Sequence, residues 1–214
     1  RDIFDAIPSQ LDDKNRRFIL ADLRKTARQN RYSSSFLWLA DAGVALPCYN
    51  VNAPLPPLEN NGNRSLFKLF MNDTGLLCAA SMDNIQFELL SGNLEVNMGA
   101  IAENVVAQEL KAHGFALHYF ITSRIGEVDF IVRDGKTVMP IEVKSGNDWK
   151  RHKALDNLMA VQDWGLENSY VLCKGNVMKG GTTTYLPLYM VMFLKPTPQP
   201  ATLTYTVDLS ALEQ

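Results

Sequence analysis

The chain has 214 residues, of which 46% are hydrophobic, and its formal net charge at pH 7 is -2. A chain of this length can bury a substantial core, in one large domain or two small ones. The small negative charge and a pI near 5.9 argue against a broadly basic nucleic-acid surface. Any contact with DNA or RNA must therefore be a local patch, or be assisted by a metal or by another domain.

The cysteines and the apolar segments indicate the class of protein. Cys48, Cys78 and Cys173 lack the spacing of a zinc site or a disulfide framework. No apolar run is long enough to span a bilayer, and no signal peptide is present. We therefore expect a cytoplasmic protein with reduced cysteines and no membrane partner. The first residue, Arg1, suggests a fragment of a longer chain.

The first part of the chain alternates helical and strand-like segments. Helical spacing of apolar residues predicts a helix over residues 14–30, and a second helix runs from Ser33 or Ser34 to Asp41, ended by Gly43. Strands are predicted at 44–51 and 66–71, separated by a loop rich in proline and asparagine. This order outlines a small winged-helix-like α+β unit over residues 1–83.

A winged helix commonly lays its second helix in the DNA major groove. The predicted second helix contains no Lys or Arg, and its Phe36, Leu37, Trp38 and Leu39 are typical packing residues. A basic stripe could come from the preceding segment, whose members are Arg16, Arg17, Arg24, Lys25, Arg28 and Arg31. Composition favours packing between domains over DNA binding by this unit.

The second unit is predicted over residues 84–214, with 84–97 as the connection. It begins with a helix at 98–113 and a strand at 118–122, followed by a hairpin at 126–146. A helix at about 150–164, a strand at 169–173 and closing strands complete it. This alternation predicts an α/β sheet flanked by helices. The glycine-rich segment 174–181 lacks the phosphate-binding loop pattern and is predicted to be a surface loop.

The hairpin brings acidic residues together. Asp134-Gly135 favours a two-residue turn, which would put Arg133 opposite Lys136 and Asp129 opposite Pro140. Side chains alternate along a strand, so Asp129, Glu142 and Lys144 would share one face. The other face would be an apolar set formed by Val128, Phe130, Val132, Met139, Ile141 and Val143.

Two adjacent carboxylates in a core sheet repel each other and resist desolvation, a cost that a bound Mg²⁺ or Mn²⁺ removes. Lys144 could then orient the attacking water and stabilise charge on a phosphoryl oxygen. Glu127 falls on the same face and could replace or assist Asp129. The alternative is an amphipathic strand whose solvated face carries Glu142 and Lys144 as ordinary ion pairs.

The sequences GEVDFIV and PIEVKSG within this hairpin resemble the PD-(D/E)XK nuclease superfamily. They are closely similar to the C-terminal part of a group of prokaryotic AAA-type ATPases, domain of unknown function 4143. The helix GAIAENVVAQEL, the late segment YLPLYMVMFL and the earlier FLWLADAGV and FKLFMNDTGLL also fit that group. The resemblance covers nearly the whole chain. It implies a restriction-endonuclease-like domain, with a mixed central sheet flanked by helices, after the winged-helix-like unit.

The resemblance also implies roles for individual residues. Asp129 and Glu142 would be metal ligands, Lys144 the catalytic lysine, and Glu103 an auxiliary acid on the first helix of the domain. Glu103 lies at the margin of an apolar helix face, where a salt bridge is an equally good explanation. The chain departs from the related helicase-nuclease pattern of glutamine and, four residues later, tyrosine, because Gln162 is followed at that spacing by Leu166.

Three hypotheses about function follow. The first is a Mg²⁺- or Mn²⁺-dependent phosphodiesterase acting on DNA or RNA. The second is a catalytically silent nuclease fold that binds nucleic acid or protein, and the third is a domain for assembly of the ATPase into a homo-oligomer. No Walker motif is present, so ATP would bind to a preceding ATPase domain. An open cleft rimmed by Lys150, Arg151, His152 and Lys153 would favour nucleic acid.

Overall fold

The computed structural model describes residues 2–12, 29–81 and 98–198, together with Phe18 and Ser91, without the side chains of residues 12, 29–34 and 64. Eight strands are present in this part of the chain. They are β1 (Ala45–Val51), β2 (Gly62–Met71), β3 (His118–Thr122), β4 (Gly126–Asp134), β5 (Thr137–Val143), β6 (Ser169–Cys173), β7 (Met178–Gly180) and β8 (Thr183–Pro187).

Five α-helices accompany these strands within the described ranges. They are α1 (Asp2–Asp12), α2 (Gln29–Asp41), α3 (Thr74–Ser81), α4 (Met98–Ala112) and α5 (Lys153–Met159). Short 3₁₀ helices cover Leu58–Asn61, Gln162–Trp164 and Leu188–Phe193. None of the described helices is long and apolar enough to cross a membrane.

The strands form one mixed sheet in the order β2-β1-β3-β4-β5-β6-β8-β7. The pairs β1/β2, β3/β4, β4/β5 and β7/β8 are antiparallel, whereas β1/β3, β5/β6 and β6/β8 are parallel. The prediction of an α/β protein with a mixed central sheet is therefore confirmed. The hairpin β1/β2, which belongs to the predicted first unit, extends the same sheet.

Helices pack on the sheet in two buried clusters. The larger cluster joins α1 and α4 to the sheet through residues such as Ile7, Val106 and Leu110. The smaller cluster packs Leu155 and Leu158 of α5 against the other apolar set of the central strands. Full burial of a side chain of this size stabilises the fold by about 1.5–3 kcal/mol. Both sets of sheet side chains are thus covered, as is usual where parallel strands occur in an α/β protein.

The described elements of the first unit agree with the sequence predictions only in part. Helix α2 begins at Gln29, before the predicted cap, and Leu37 and Trp38, which were predicted to pack, are 59% and 66% exposed. Helix α2 ends at Asp41, and Gly43 follows with a φ of 67°, the left-handed conformation that commonly ends a helix. Strands β1 and β2 correspond to the predicted strands, although β2 begins earlier, at Gly62. Helices α1 and α3 were not predicted. Most of the predicted helix at 14–30, its basic stripe apart from Arg31 in α2, and nearly all of the connection at 84–97 lie outside the described residues.

The second unit contains three local differences from the prediction. Helix α5 covers only Lys153–Met159, because the backbone becomes extended at Val161 before a short 3₁₀ turn. The predicted closing strand ends at Pro187, and a 3₁₀ helix replaces it over Leu188–Phe193. The predicted loop at 174–181 contains the short strand β7, which pairs with β8. The helix at 98–113 and the strands at 118–122 and 169–173 are confirmed.

Candidate catalytic site

The hairpin β4/β5 places Asp129 beside Glu142. Phe130 pairs with Ile141 and Ile131 with Pro140, so one further step along this register brings the two acids opposite each other. The predicted register, with Asp129 opposite Pro140, is wrong by two residues. The turn residues are Gly135 and Lys136, because Asp134 already pairs with Thr137. An even shift preserves the face of every β5 residue, and so the proximity of the acids was predicted despite the error.

A β-bulge in β4 lies at Asp129. His118 of β3 pairs with Ile131 and Phe120 pairs with Val128, which leaves Asp129 and Phe130 opposite the single residue Tyr119. A bulge inserts one extra residue and redirects the side chains next to it. Consequently Val128 packs in the smaller cluster, beside α5, whereas Phe130 and Val132 pack in the larger cluster, beside α4. The prediction of one continuous apolar face containing Val128 and Phe130 is therefore wrong.

Asp129 is held by contacts at both carboxylate oxygens. Its Oδ2 accepts a hydrogen bond of 2.8 Å from the backbone N–H of Val143. Its Oδ1 lies 3.9 Å from the Nζ of Lys68. The residue is only 8% exposed, so these contacts are made away from bulk water. The Asp129 carboxylate is therefore oriented by a contact at each of its oxygens.

Glu142 and Lys144 form an ion pair on the other side of Asp129. The Nζ of Lys144 lies 2.6 Å from Oε1 of Glu142. Burial, reinforced by the charge of Asp129, raises the pKa of Glu142 to about 8, although Lys144 and Lys68 act in the opposite direction. Oε2 of Glu142 is buried and has no hydrogen-bond partner among the described residues. This oxygen is therefore available to a cation or to a proton.

Glu103 on α4 and Glu127 on β4 complete the acidic cluster. Glu103 is 2% exposed, and its Oε2 lies 3.6 Å from the Nζ of Lys68. Glu127 approaches the same Nζ to 2.5 Å. The structure thus brings all four residues predicted for the site, Glu103, Asp129, Glu142 and Lys144, into one cluster. Glu103 also forms a salt bridge, with Lys68, which was the alternative to a catalytic role for this residue.

Lys68 on β2 is the member of the cluster that the sequence did not reveal. Its side chain is fully buried, and its Nζ lies 5.2 Å from the centre of the Tyr119 ring. The one local signal is a lysine inside an apolar strand, within the sequence LFKLFM. A buried lysine is rare without charged partners. That pattern could have prompted a search for acidic partners of Lys68, but it could not have shown which acids they are.

The charges of the cluster fit one divalent cation. With all four carboxylates and both ammonium groups ionised, the cluster would carry a net charge of -2; its members are Lys68, Glu103, Glu127, Asp129, Glu142 and Lys144. The raised pKa of Glu142 means that a bound cation is needed to hold this residue in its charged form near neutral pH. Mg²⁺ is commonly held by one or two carboxylates and completed by waters and substrate phosphates. Among the described residues, no three His, Cys, Asp or Glu side chains are grouped to hold a metal ion by themselves. Asp129 and Glu142 are the two carboxylates that would hold such an ion, with the rest of its shell left to substrate and water.

The cluster reaches solvent through Lys144. A cleft of about 270 Å³ is lined by Lys144, Gly146, Asp148, Trp149 and Arg151. Of the residues that would form a basic rim, Arg151 lines this cleft, together with the acidic Asp148, whereas Lys150 and Lys153 are exposed but are not among its lining residues. His152 is not part of the rim, because it is buried and its Nε2 lies 2.6 Å from the hydroxyl of Tyr185.

Two family models match separate parts of the chain. Residues 98–191 match a domain of unknown function (DUF4143), and residues 1–86 match another domain of unknown function (DUF8612). The first match agrees with the group named from the sequence motifs. No curated protein and no solved structure matches the chain.

Proposed function

We propose that the chain is the C-terminal, nuclease-like part of an AAA-type ATPase. In this proposal the acidic cluster hydrolyses phosphodiester bonds of DNA or RNA with Mg²⁺ or Mn²⁺. The observation that carries it is the convergence of Asp129, Glu142 and Lys144 beside a cleft that bears Lys144 and Arg151. One buried carboxylate oxygen of Glu142 has no hydrogen-bond partner within the described part of the chain. The match of residues 98–191 to DUF4143 and the resemblance to PD-(D/E)XK nucleases support it.

Each residue has a distinct role in this mechanism. Asp129, oriented by the N–H of Val143, and Glu142 would hold the cation. The cation would supply Lewis-acid polarisation of a phosphoryl oxygen. Lys144 is fixed by Glu142 but remains 30% exposed at the cleft, so its ammonium group can orient the attacking water and offset charge that develops on the phosphate.

The wider assembly belongs to the same proposal. ATP would bind to a preceding ATPase domain, and the winged-helix-like unit over residues 1–83 would join that domain to the nuclease-like domain over 84–214. The boundary between residues 83 and 84 stays a prediction, because β1 is hydrogen-bonded to β3 within one sheet. Assembly of the ATPase into a homo-oligomer is part of the proposal.

The alternative is a catalytically silent nuclease fold used for binding or assembly. One observation favours it: the ammonium group of Lys68 already lies among three of the acids, which offsets part of their charge without a metal. The exposed apolar residues Tyr189 and Phe193 offer a surface for contact with another domain. This alternative predicts nucleic-acid or protein binding without cleavage.

Cleavage assays separate the two candidates. Single-stranded, double-stranded and branched DNA and RNA are incubated with the chain and Mg²⁺ or Mn²⁺. We expect cutting that requires the metal and that is lost in Glu142→Gln and in Lys144→Ala. Matched controls are Glu167→Gln and Lys136→Ala, because both residues are exposed and Lys136 lies on the turn of the same hairpin.

Two results would contradict the enzymatic proposal. One is the absence of cleavage by this chain and by the complete ATPase with ATP. The other is cleavage that persists in both site variants at the level of the controls, since the activity would then come from another site or from a contaminant.

A further inference from the structure

An aromatic side chain forms one wall of the cleft beside Lys144. Trp149 lies in the loop between β5 and α5 and lines the cleft together with Lys144 and Arg151. The cleft has a volume of about 270 Å³, which is less than the roughly 300–1,000 Å³ of sites that enclose a whole drug-sized ligand. Its size therefore suits one unit of a longer substrate, such as a single nucleotide of a strand.

The ring of Trp149 is held in one position. A Cβ at Gly175 would lie 2.7 Å from Cζ2 of the ring and 3.0 Å from Cε2 and Cη2, so only a glycine lets the backbone approach this closely. The ring of Tyr185 packs edge-on against Trp149, with 5.4 Å between the ring centres. The hydroxyl of Tyr185 lies 2.6 Å from Nε2 of His152, whose Nδ1 lies 3.0 Å from Oδ1 of Asp156. The ring is thus oriented before a ligand binds, which lowers the entropic cost of binding.

Part of the Trp149 side chain is open to a ligand. The residue is only partly buried, and the Nζ of Lys150 lies over its ring, 5.2 Å from the ring centre. Lys150 is exposed, and a cation–π contact at an exposed site is weak. Stacking of a nucleobase on an aromatic ring is stronger. A base can therefore displace this ammonium group, which then becomes available to a phosphate.

The other side chains of the cleft complement the parts of a nucleotide. Lys144 and Arg151 supply the positive charge that phosphate groups require. Asp148, next to Trp149 in the lining, repels a phosphate, but its carboxylate can accept a hydrogen bond from the amino group of a base. The cleft thus offers cations to the backbone of a strand, and an aromatic ring and an acceptor to a base.

We propose that Trp149 stacks on an unpaired base, so that single-stranded DNA or RNA is the substrate class of this cleft. This inference rests on the proposed function and names the substrate of the same site. In a duplex each base is paired and is stacked between its neighbours, so the ring of Trp149 cannot reach its face. Trp149 is accordingly a binding residue, whereas hydrolysis still depends on Glu142 and Lys144.

Fluorescence anisotropy in the presence of a chelator measures binding without cleavage. The probes are labelled oligothymidylate and oligouridylate, the duplex of each with its complement, and an oligomer with the same sugar–phosphate backbone but no bases. We expect Trp149→Ala to raise the Kd for the single strands roughly 5- to 150-fold, the usual effect of losing one stacked base. The Kd for the duplexes should not change. The matched control is Trp38→Ala, on exposed Trp38 of α2, which should bind every probe as the wild type does.

The oligomer without bases separates stacking from a structural role of Trp149. Removal of the bases should weaken binding to the wild type but leave binding to Trp149→Ala nearly unchanged, because the variant has already lost the stacking partner. A tryptophan that only supports the fold would affect strands with and without bases by the same factor. That result would overturn the inference.

If Trp149→Ala does not fold, tryptophan fluorescence of more conservative variants decides. Oligothymidylate should quench the fluorescence of the wild type, of Trp38→Phe and of Trp164→Phe, but not that of Trp149→Phe. The same quenching in Trp149→Phe as in the wild type, or binding to the wild type without quenching, would overturn the inference.

The outcomes distinguish the inference from the proposed function. Binding to the wild type that does not depend on the bases would overturn the inference and leave the proposed function intact. The absence of binding of every probe to the wild type, also with Mn²⁺ present, would contradict the proposed function itself and the inference with it.

Discussion

The carboxyl group of Glu142 lies where its charged form is disfavoured. It is 5% exposed, and the Asp129 carboxylate adds to the effect of burial. The same two features make the site receptive to a cation, because a bound ion relieves both the desolvation and the repulsion. In the absence of a metal, the free energy of unfolding should therefore depend on pH.

That dependence has a definite sign. The pKa of Glu142 in the folded state, about 8, is above the ordinary value of 4.5, so the folded state binds more protons than the unfolded state between these values. The free energy of unfolding therefore falls as pH rises through this window in metal-free buffer. In Glu142→Gln, we expect this decrease in the free energy of unfolding to be smaller by on the order of 2–4 kcal/mol.

Urea unfolding at about pH 5 and about pH 9 in the presence of a chelator measures the effect. Glu167→Gln, on the surface, is the matched control and should keep the wild-type dependence. The same pH dependence in Glu142→Gln and wild type would show that Glu142 is ionised throughout.

Arg151 is exposed on the lining of the cleft beside Lys144. If the cleft binds the phosphate backbone, Arg151→Ala should weaken nucleic-acid binding and reduce the slope of log K against log salt by about 1. Lys136→Ala, on the distant turn of the same hairpin, should leave that slope unchanged. Binding measured by fluorescence anisotropy over a series of salt concentrations tests this, and equal slopes for both variants would exclude Arg151 from the contact.

At the scale of elements, the sequence predicted which side chains share a face of a strand better than it predicted how the strands pair. Alternation along β5 put Glu142 and the following Lys144 on one face, and the proximity of Glu142 to Asp129 is kept under any even shift in register. The bulge at Asp129 was not predictable from the hairpin, because it arises from the pairing of β4 with β3. Lys68 was missed for a similar reason: its partners lie on α4 and β4, far away in the sequence.

The start of β4 packs closely on α5 through Gly126. This residue has a φ of 105°, and a Cβ there would lie 2.9 Å from the Cβ of Ala154. Gly135, in the hairpin turn, also has a positive φ, 59°, but nothing lies within 4 Å of its Cβ position. We expect Gly135→Ala to cost about 1 kcal/mol from backbone strain alone. Gly126→Ala should cost roughly 1–3 kcal/mol more because of the contact with α5.

Chemical unfolding of the two glycine variants measures the difference directly. Equal free energies of unfolding would mean that α5 moves away from β4 at little cost. In that case the start of β4 would not be held by this contact.

At the scale of the whole molecule, the sheet joins the regions that the two family models match. Strand β1 is paired with β2 on one side and with β3 on the other, and Lys68 links β2 to α4 and β4. We therefore expect the described parts of both regions to unfold in one cooperative transition. Fluorescence of the three tryptophans, Trp38, Trp149 and Trp164, and far-ultraviolet circular dichroism should give the same midpoint in urea. Two separated transitions would indicate independent domains.

The proposed function depends on a divalent cation held by Asp129 and Glu142. The most direct measurement is a crystal structure of the protein with Mn²⁺, in which anomalous scattering locates the ion. We predict one anomalous peak between these two carboxylates, with the ammonium group of Lys68 still among Glu103, Glu127 and Asp129. The absence of a peak at the two acids, in crystals that contain saturating Mn²⁺, would contradict the metal-dependent mechanism.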